Sequence, residues 1–130
     1  TRILVANGFQ KDIDKRRAKN GSAPNFVHAC DAAHLLRTVN AARREGITQF
    51  ALVHDSFGSL PSHAARFQGI IREAFVEMYG RHDVLTEVLE QAMCDLNEHS
   101  DRLLELAELR HELTGNLNIK EVLNARYTFA

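Results

Sequence analysis

An α+β fold, mostly helical with one short antiparallel β-hairpin, is predicted by three features of this 130-residue sequence. Apolar residues recur at helical spacing through most of the second half. The run Thr48 to Val53 is rich in strand-forming residues and too short for an ordinary helix. A second β-prone piece, Ser56 to Leu60, follows almost at once, so His54 and Asp55 fall at or near a hairpin tip. With 45% hydrophobic residues the chain can bury a continuous core, and one domain over 1–130 is expected.

Taken in order, Ile3, Leu4 and Val5 read as a short strand ending near Asn7-Gly8. The charged stretch Lys11 to Lys19 follows as a solvated helix or loop. Asn20-Gly21-Ser22-Ala23-Pro24 is a turn cluster, and Pro24 biases Ala23 away from helix, so an element boundary is expected there. Asp31 is a good N-cap for a helix carrying Leu35, Leu36, Val39 and Ala42, with Gly46 as its left-handed stop.

After the hairpin, Pro61 and Ser62 open a helix with Phe67, Ile70, Ile71, Ala74, Phe75 and Met78 on one face and Gly80 as its stop. Another helix follows Asp83, marked by Val84, Leu85, Val88, Leu89, Ala92, Met93 and Leu96. A leucine-rich helical segment runs from Leu103 to Leu113 and breaks at Gly115-Asn116. Asn118 with Glu121 forms a capping box for a last short helix before the tail Tyr127 to Ala130.

Composition narrows the function classes. Acidic and basic residues nearly cancel, at 17 against 16, so no overall field draws the chain to nucleic acid. Polymer contacts must come from local clusters such as Lys15-Arg16-Arg17 or Arg43-Arg44. Cys30 and Cys94 fit no Cys-x-x-Cys pattern and follow no signal peptide, which favours reduced thiols and a cytosolic setting. The apolar runs are far too short for the roughly 20 residues of a membrane-spanning helix, so no membrane partner is expected. The chain begins at Thr1, and a piece cut from something larger is expected.

Two groups of residues could carry chemistry. Asp55, beside His54 on a rigid hairpin, suits a hard cation such as Mg²⁺, which takes one or two protein carboxylates and completes its shell with water and substrate phosphates. The plainer reading is a turn aspartate bonding nearby backbone N–H groups. His28, Cys30, Asp31 and His34 invite a zinc site, but their spacing departs from the usual paired-ligand pattern. Asp31 is then an N-cap and Cys30 a small apolar residue.

The segments Ala23-Pro24-Asn25-Phe26-Val27-His28, Asp31, His34-Leu35 and Phe50 through Gly58 occur in an order that resembles the single-subunit RNA polymerases of T7-like phages and mitochondria. The Phe129-Ala130 end adds to the match, and Phe57-Gly58 with that end is more similar to the phage branch. The resemblance runs from about Asp14 to Ala130, with an interruption in the leucine-rich segment.

It implies the C-terminal part of a polymerase palm with its C-terminal tail, or foot, and a phage or prophage enzyme working in the bacterial host cytoplasm. Asp55 would be the second of two catalytic aspartates holding two Mg²⁺ ions in the full-length enzyme, and His54 its companion. His28 would approach the base pair at the RNA 3′ end from the minor-groove side, and Phe129 and Ala130 would tuck back toward the active site. The DNA template, the RNA product and NTPs are the implied partners.

The family's first metal-binding aspartate and its nucleotide-contacting fingers helix are not recognisable in these residues, so the 130 residues alone are expected to be inactive. Self-association through palm surfaces left uncovered is also expected. Two alternatives stand beside this reading. One is an HD-type metal phosphohydrolase, which requires His54-Asp55 inside a helix of an all-α fold, and the other is a helical interaction module built on the Phe67 to Leu96 stripes.

Overall fold

A computed structural model of the chain describes residues 13–96, 102–109 and 115–125. The expected strand at Ile3 to Val5 and the tail at Tyr127 to Ala130 lie outside those residues. The order is α1 (Lys15–Arg44), β1 (Phe50–Val53), β2 (Ser56–Ser59), a 3-10 turn (Pro61–His63), α2 (Ala64–Arg81), α3 (Val84–Cys94), α4 (Arg102–Leu109) and a second 3-10 segment (Ile119–Asn124). The fold is thus α+β and mostly helical, with one antiparallel hairpin. No helix among the described residues is long and apolar enough to cross a membrane.

Helix α1 starts far earlier than the sequence pattern indicates. Its cap is Asp14, whose Oδ1 accepts from the backbone N–H of Arg16 and of Arg17, both at 3.1 Å. These bonds satisfy two of the donors that a helix start leaves unpaired. The boundary expected over Asn20 to Pro24 is absent: the helix runs through Pro24. Proline there removes one bond, to the Asn20 carbonyl, but Asn20 is exposed, so water can take the donor's place. Asp31 is accordingly an exposed mid-helix residue and not a cap.

The other end of α1 follows the expected Gly46 stop. Gly46 has φ 84°, its N–H bonds to the Arg43 carbonyl at 3.1 Å, and the Ile47 N–H bonds to the Ala42 carbonyl at 3.0 Å. That pair is a Schellman closure, and its usual apolar contact is the packing of Ile47 and Ala42 in the core. Arg43 and Arg44 lie in the last turn, where cations favour the helix dipole.

The buried stripe of α1 is His34, Thr38 and Ala42, which stack on one face about a turn apart. Leu36, expected on the core face, is 62% exposed. Small or polar side chains form the contact face, which lets α2 approach closely. The core then gathers Ala42, Ile47, Phe67, Ile70 and Ile71, with Ala41, Phe50 and Phe57 packed on it.

The hairpin pairs Phe50 with Ser59, Ala51 with Gly58, Leu52 with Phe57 and Val53 with Ser56. Alternation turns Phe50, Leu52 and Phe57 to one half-buried face. From that face the Phe50 and Phe57 rings meet Phe67 of α2, with centroids 5.6 and 6.3 Å away. One face of a two-stranded ribbon is thus fastened to the helices. The other carries the exposed Ala51, Val53 and Ser56.

Pro61 opens the turn before α2, and α2 continues through Gly80, the expected stop, to Arg81. Gly80 leaves the helical ladder intact; among the described glycines only Gly46 has a positive φ. Asp83 caps α3 as expected, accepting from the Thr86 N–H at 3.2 Å and the Thr86 hydroxyl at 2.8 Å, and these bonds hold its carboxyl below the usual range. Asn118 accepts from the Lys120 N–H at 3.2 Å and caps the last element, which is a 3-10 segment packed on α2.

Candidate functional site

The closing pair Val53 and Ser56 leaves His54 and Asp55 as a two-residue loop. His54 has φ 53° and is the one described non-glycine residue with positive φ. Positive φ at the first central residue alone is the φ signature of a type II′ turn, a position that normally takes glycine. An L-residue there costs about 1–2 kcal/mol, and strain of this kind collects at functional sites. The His-Asp pair lies at a hairpin tip and not within a helix, which contradicts the phosphohydrolase alternative.

The tip overhangs a cleft of about 600 Å³ lined by His28, Asp31, Ala32 and Leu35 of α1 and by His54 and Asp55. The four α1 residues follow the i, i+3, i+4, i+7 spacing of a single helix face. Ala32 and Leu35 give that wall an apolar part, and two carboxylates and two imidazoles contribute its polar groups. His28, His54 and Asp55, all singled out in the sequence, therefore meet in one place. Phe129 and Ala130 lie outside the described residues.

Asp31 joins this cleft although its sequence context suggested a cap. Once the start of α1 is placed at Asp14, the His28, Asp31, Leu35 spacing is the signal that finds it. The suspected zinc quartet separates around the helix. His28 and Asp31 face the cleft, and His34 is buried. Cys30 lines a different, largely apolar groove of about 500 Å³, between α1 and the α2–α3 junction. Cys30 and Cys94 are both free thiols.

His34 is the second residue that spacing alone did not explain. Its Nε2 lies 2.9 Å from the Ile71 carbonyl oxygen. A carbonyl only accepts, so Nε2 carries the proton. Burial pushes the His34 pKa below its ordinary value, against the smaller opposing effects of the Ile71 hydrogen bond and the Asp31 charge. Its ring stands edge-on to Phe57 and Phe75, with centroids 5.6 and 5.4 Å away at 61° and 85°.

For a cation, the cleft offers the hard oxygens of Asp55 and Asp31 on opposite walls. Among the described residues no group of three or more His, Cys, Asp or Glu side chains could by itself enclose a metal ion. This donor set fits a Mg²⁺ site completed by other carboxylates, phosphates and water, and does not fit a closed structural zinc site.

The family model for DNA-dependent RNA polymerase matches residues 2–113. T7 RNA polymerase of Escherichia phage T7 is 39% identical over 120 residues, covering 92% of this chain and 13% of that protein. DNA-directed RNA polymerase of Enterobacteria phage K11 is 35% identical over 130 residues, covering 99% of this chain and 14% of that protein. DNA-directed RNA polymerase 1A of Nicotiana tabacum is 33% identical over 126 residues, covering 93% of this chain and 74% of that protein. The chain thus spans about one seventh of the phage relatives' length. With the matched model covering most of the chain, and with the His-Asp hairpin facing His28, this chain belongs to the DNA-dependent RNA polymerase family.

Proposed function

We propose that this chain forms the C-terminal palm part of an RNA polymerase active site, in which Asp55 is a metal-binding carboxylate for nucleotide transfer to the RNA 3′ end. The observation that carries the reading is the strained His54 backbone, φ 53°, which turns the chain within two residues and leaves Asp55 on the cleft beside His28. A fixed carboxylate is what a Mg²⁺ site requires, because the ion demands near-ideal octahedral geometry. When bound, two such ions ~3.5–4 Å apart would stabilise the attacking and leaving oxygens of the transfer.

The roles of this chain's own residues are narrower. Asp55 holds one side of the metal site. His54 sets the turn that carries it. His28, on the facing helix wall, is within the same cleft and would contact the minor-groove side of the terminal RNA base pair, where 2′-hydroxyls and base-edge acceptors are exposed. Phe129 and Ala130 would pack back toward the site.

The other catalytic aspartate and the nucleotide-contacting helix would come from the remainder of a polymerase, as would most of the surface for the DNA template, RNA and NTPs. The place of action is the cytoplasm of a bacterial host.

The test is a graft of this chain in place of the matching segment of T7 RNA polymerase, assayed for NTP incorporation on a promoter template. Asp55→Asn in the graft should reduce incorporation at least about 100-fold, the loss expected when several kcal/mol of charge stabilisation is removed. Equal rates for the unmodified graft and its Asp55→Asn variant would overturn the assignment.

A further inference from the structure

A buried histidine is an expensive way to fill a core. Leucine would occupy similar space without the cost of desolvating a ring nitrogen. What the imidazole adds is direction. The bond from Nε2–H to the Ile71 carbonyl fixes the orientation of the ring and ties α1 to α2. With its plane fixed, the ring presents itself to Phe75 of α2 on one side and to Phe57 of the hairpin on another.

Phe57 is two residues beyond Asp55, and its own strand partner is Leu52. The other wall of the cleft, through His28 and Asp31, belongs to the same helix as His34. One side chain therefore connects both walls of the cleft to α2. We infer that His34 is a positioning residue for Asp55: its imidazole, tied to Ile71, holds the Phe57 ring and so sets the hairpin tip against the His28 wall. This rests on the reading of Asp55 as a metal-binding carboxylate.

The described groups facing His34 include the Asp31 carboxylate on α1, the Ile71 carbonyl and the Phe75 ring of α2, and the Phe57 ring of the hairpin. Replacing the imidazole by phenyl keeps an aromatic ring and deletes the tie to Ile71. Replacing it by glutamine keeps an N–H donor of comparable reach and deletes the ring.

The experiment uses the ¹⁵N-labelled chain, with Mn²⁺ as the probe and its paramagnetic broadening of the His54, Asp55 and Ser56 amides as the readout. His34→Phe should shift those three amides and raise the Mn²⁺ concentration for half-broadening about tenfold, the lower end of the effect of losing a partner that orients a metal ligand. His34→Gln should recover part of that affinity. Leu89→Ala, a change at a buried α3 residue outside the core cluster on which Phe57 packs, should lower the melting temperature and leave the Mn²⁺ dependence unchanged.

Wild-type amide shifts at the tip and a wild-type Mn²⁺ dependence in a folded His34→Phe chain would overturn the proposal. If that variant does not fold, the same result in His34→Gln and Phe57→Leu overturns it. Absence of tip broadening in the unmodified chain would bear on metal binding by this chain without the other catalytic aspartate and not on this proposal, which the amide shifts alone then decide.

Discussion

Thr38 lies one turn beyond His34 on the buried stripe of α1, is 0% exposed, and its hydroxyl oxygen has no hydrogen-bond partner. The perturbation is Thr38→Val, which exchanges that hydroxyl for a methyl of similar size. A buried polar group without a partner costs about 1–3 kcal/mol, and removing it recovers that sum. Against this stands the fit of a methyl in a hydroxyl-sized space, at the low end of the roughly 1–3 kcal/mol cost of overpacking. Helix propensity is nearly the same for the two residues. The net expectation is stabilisation of roughly 0.5–1.5 kcal/mol, or a few degrees in melting temperature for a chain of this size.

Urea denaturation followed by far-UV circular dichroism measures the effect, with Thr38→Ser as the control. Serine keeps the unpaired hydroxyl and adds a small cavity, so it should destabilise by about 1 kcal/mol. A valine variant less stable than the parent by more than about 0.5 kcal/mol would refute the reasoning. It would mean that the hydroxyl bonds back to the His34 carbonyl, the usual arrangement for threonine inside a helix.

Acidification should weaken the fold through His34. Its folded pKa lies below the ordinary 6.5, so the unfolded chain takes up the proton first. The contribution is complete above 6.5 and is lost as pH falls from there toward the lower folded value, with a slope of at most about 1.4 kcal/mol per pH unit for one proton. Urea midpoints across that range should fall in the parent and flatten there in His34→Gln. Gly58→Ala should destabilise by roughly 1 kcal/mol in the same assay, because the new Cβ would lie 3.2 Å from the Ala51 carbonyl oxygen and the facing strand's backbone must give way slightly to admit it. Gly46→Ala should cost roughly 1–2 kcal/mol from its φ of 84° alone, since nothing lies within 4 Å of the added carbon, and Gly46→Asn should cost less.

The hairpin was legible because two local signals agreed. Phe50 to Val53 is too short for a helix, and the next β-prone residues begin after only two intervening positions. The Gly46 stop and the Asp83 cap were legible for the same reason: each depends on a single residue's backbone or side-chain chemistry, which tertiary contacts here leave undisturbed.

The start of α1 was not legible. Pro24 and Gly21 are strong breakers locally, but capping at Asp14, ten residues upstream of the proline, and the exposed position of Asn20 let the helix pass. That early start is also what turns Asp31 from a cap into a wall of the cleft. The core stripe of α1 was hidden because hydrophobicity marks Leu36 and ignores His34 and Thr38, whose burial depends on how near α2 lies. His54 and Asp55 were found from sequence, although φ at His54, the feature that makes the tip unusual, cannot be read from residue types.

A two-stranded ribbon has little stability of its own in water. The aromatic anchors on Phe67 and His34 therefore carry the hairpin, and its opening is tied to the opening of the α1–α2 pair. Amide hydrogen exchange at Ala51 and Gly58, the next hydrogen-bonded pair of the ladder after Val53 and Ser56, should accordingly report nearly the same opening free energy as amides in the middle of α2, and not the low values of a fraying loop. The candidate metal ligand would then belong to the cooperative unit that unfolds last, so heat should abolish the order of the site and the order of the helix pair at the same temperature.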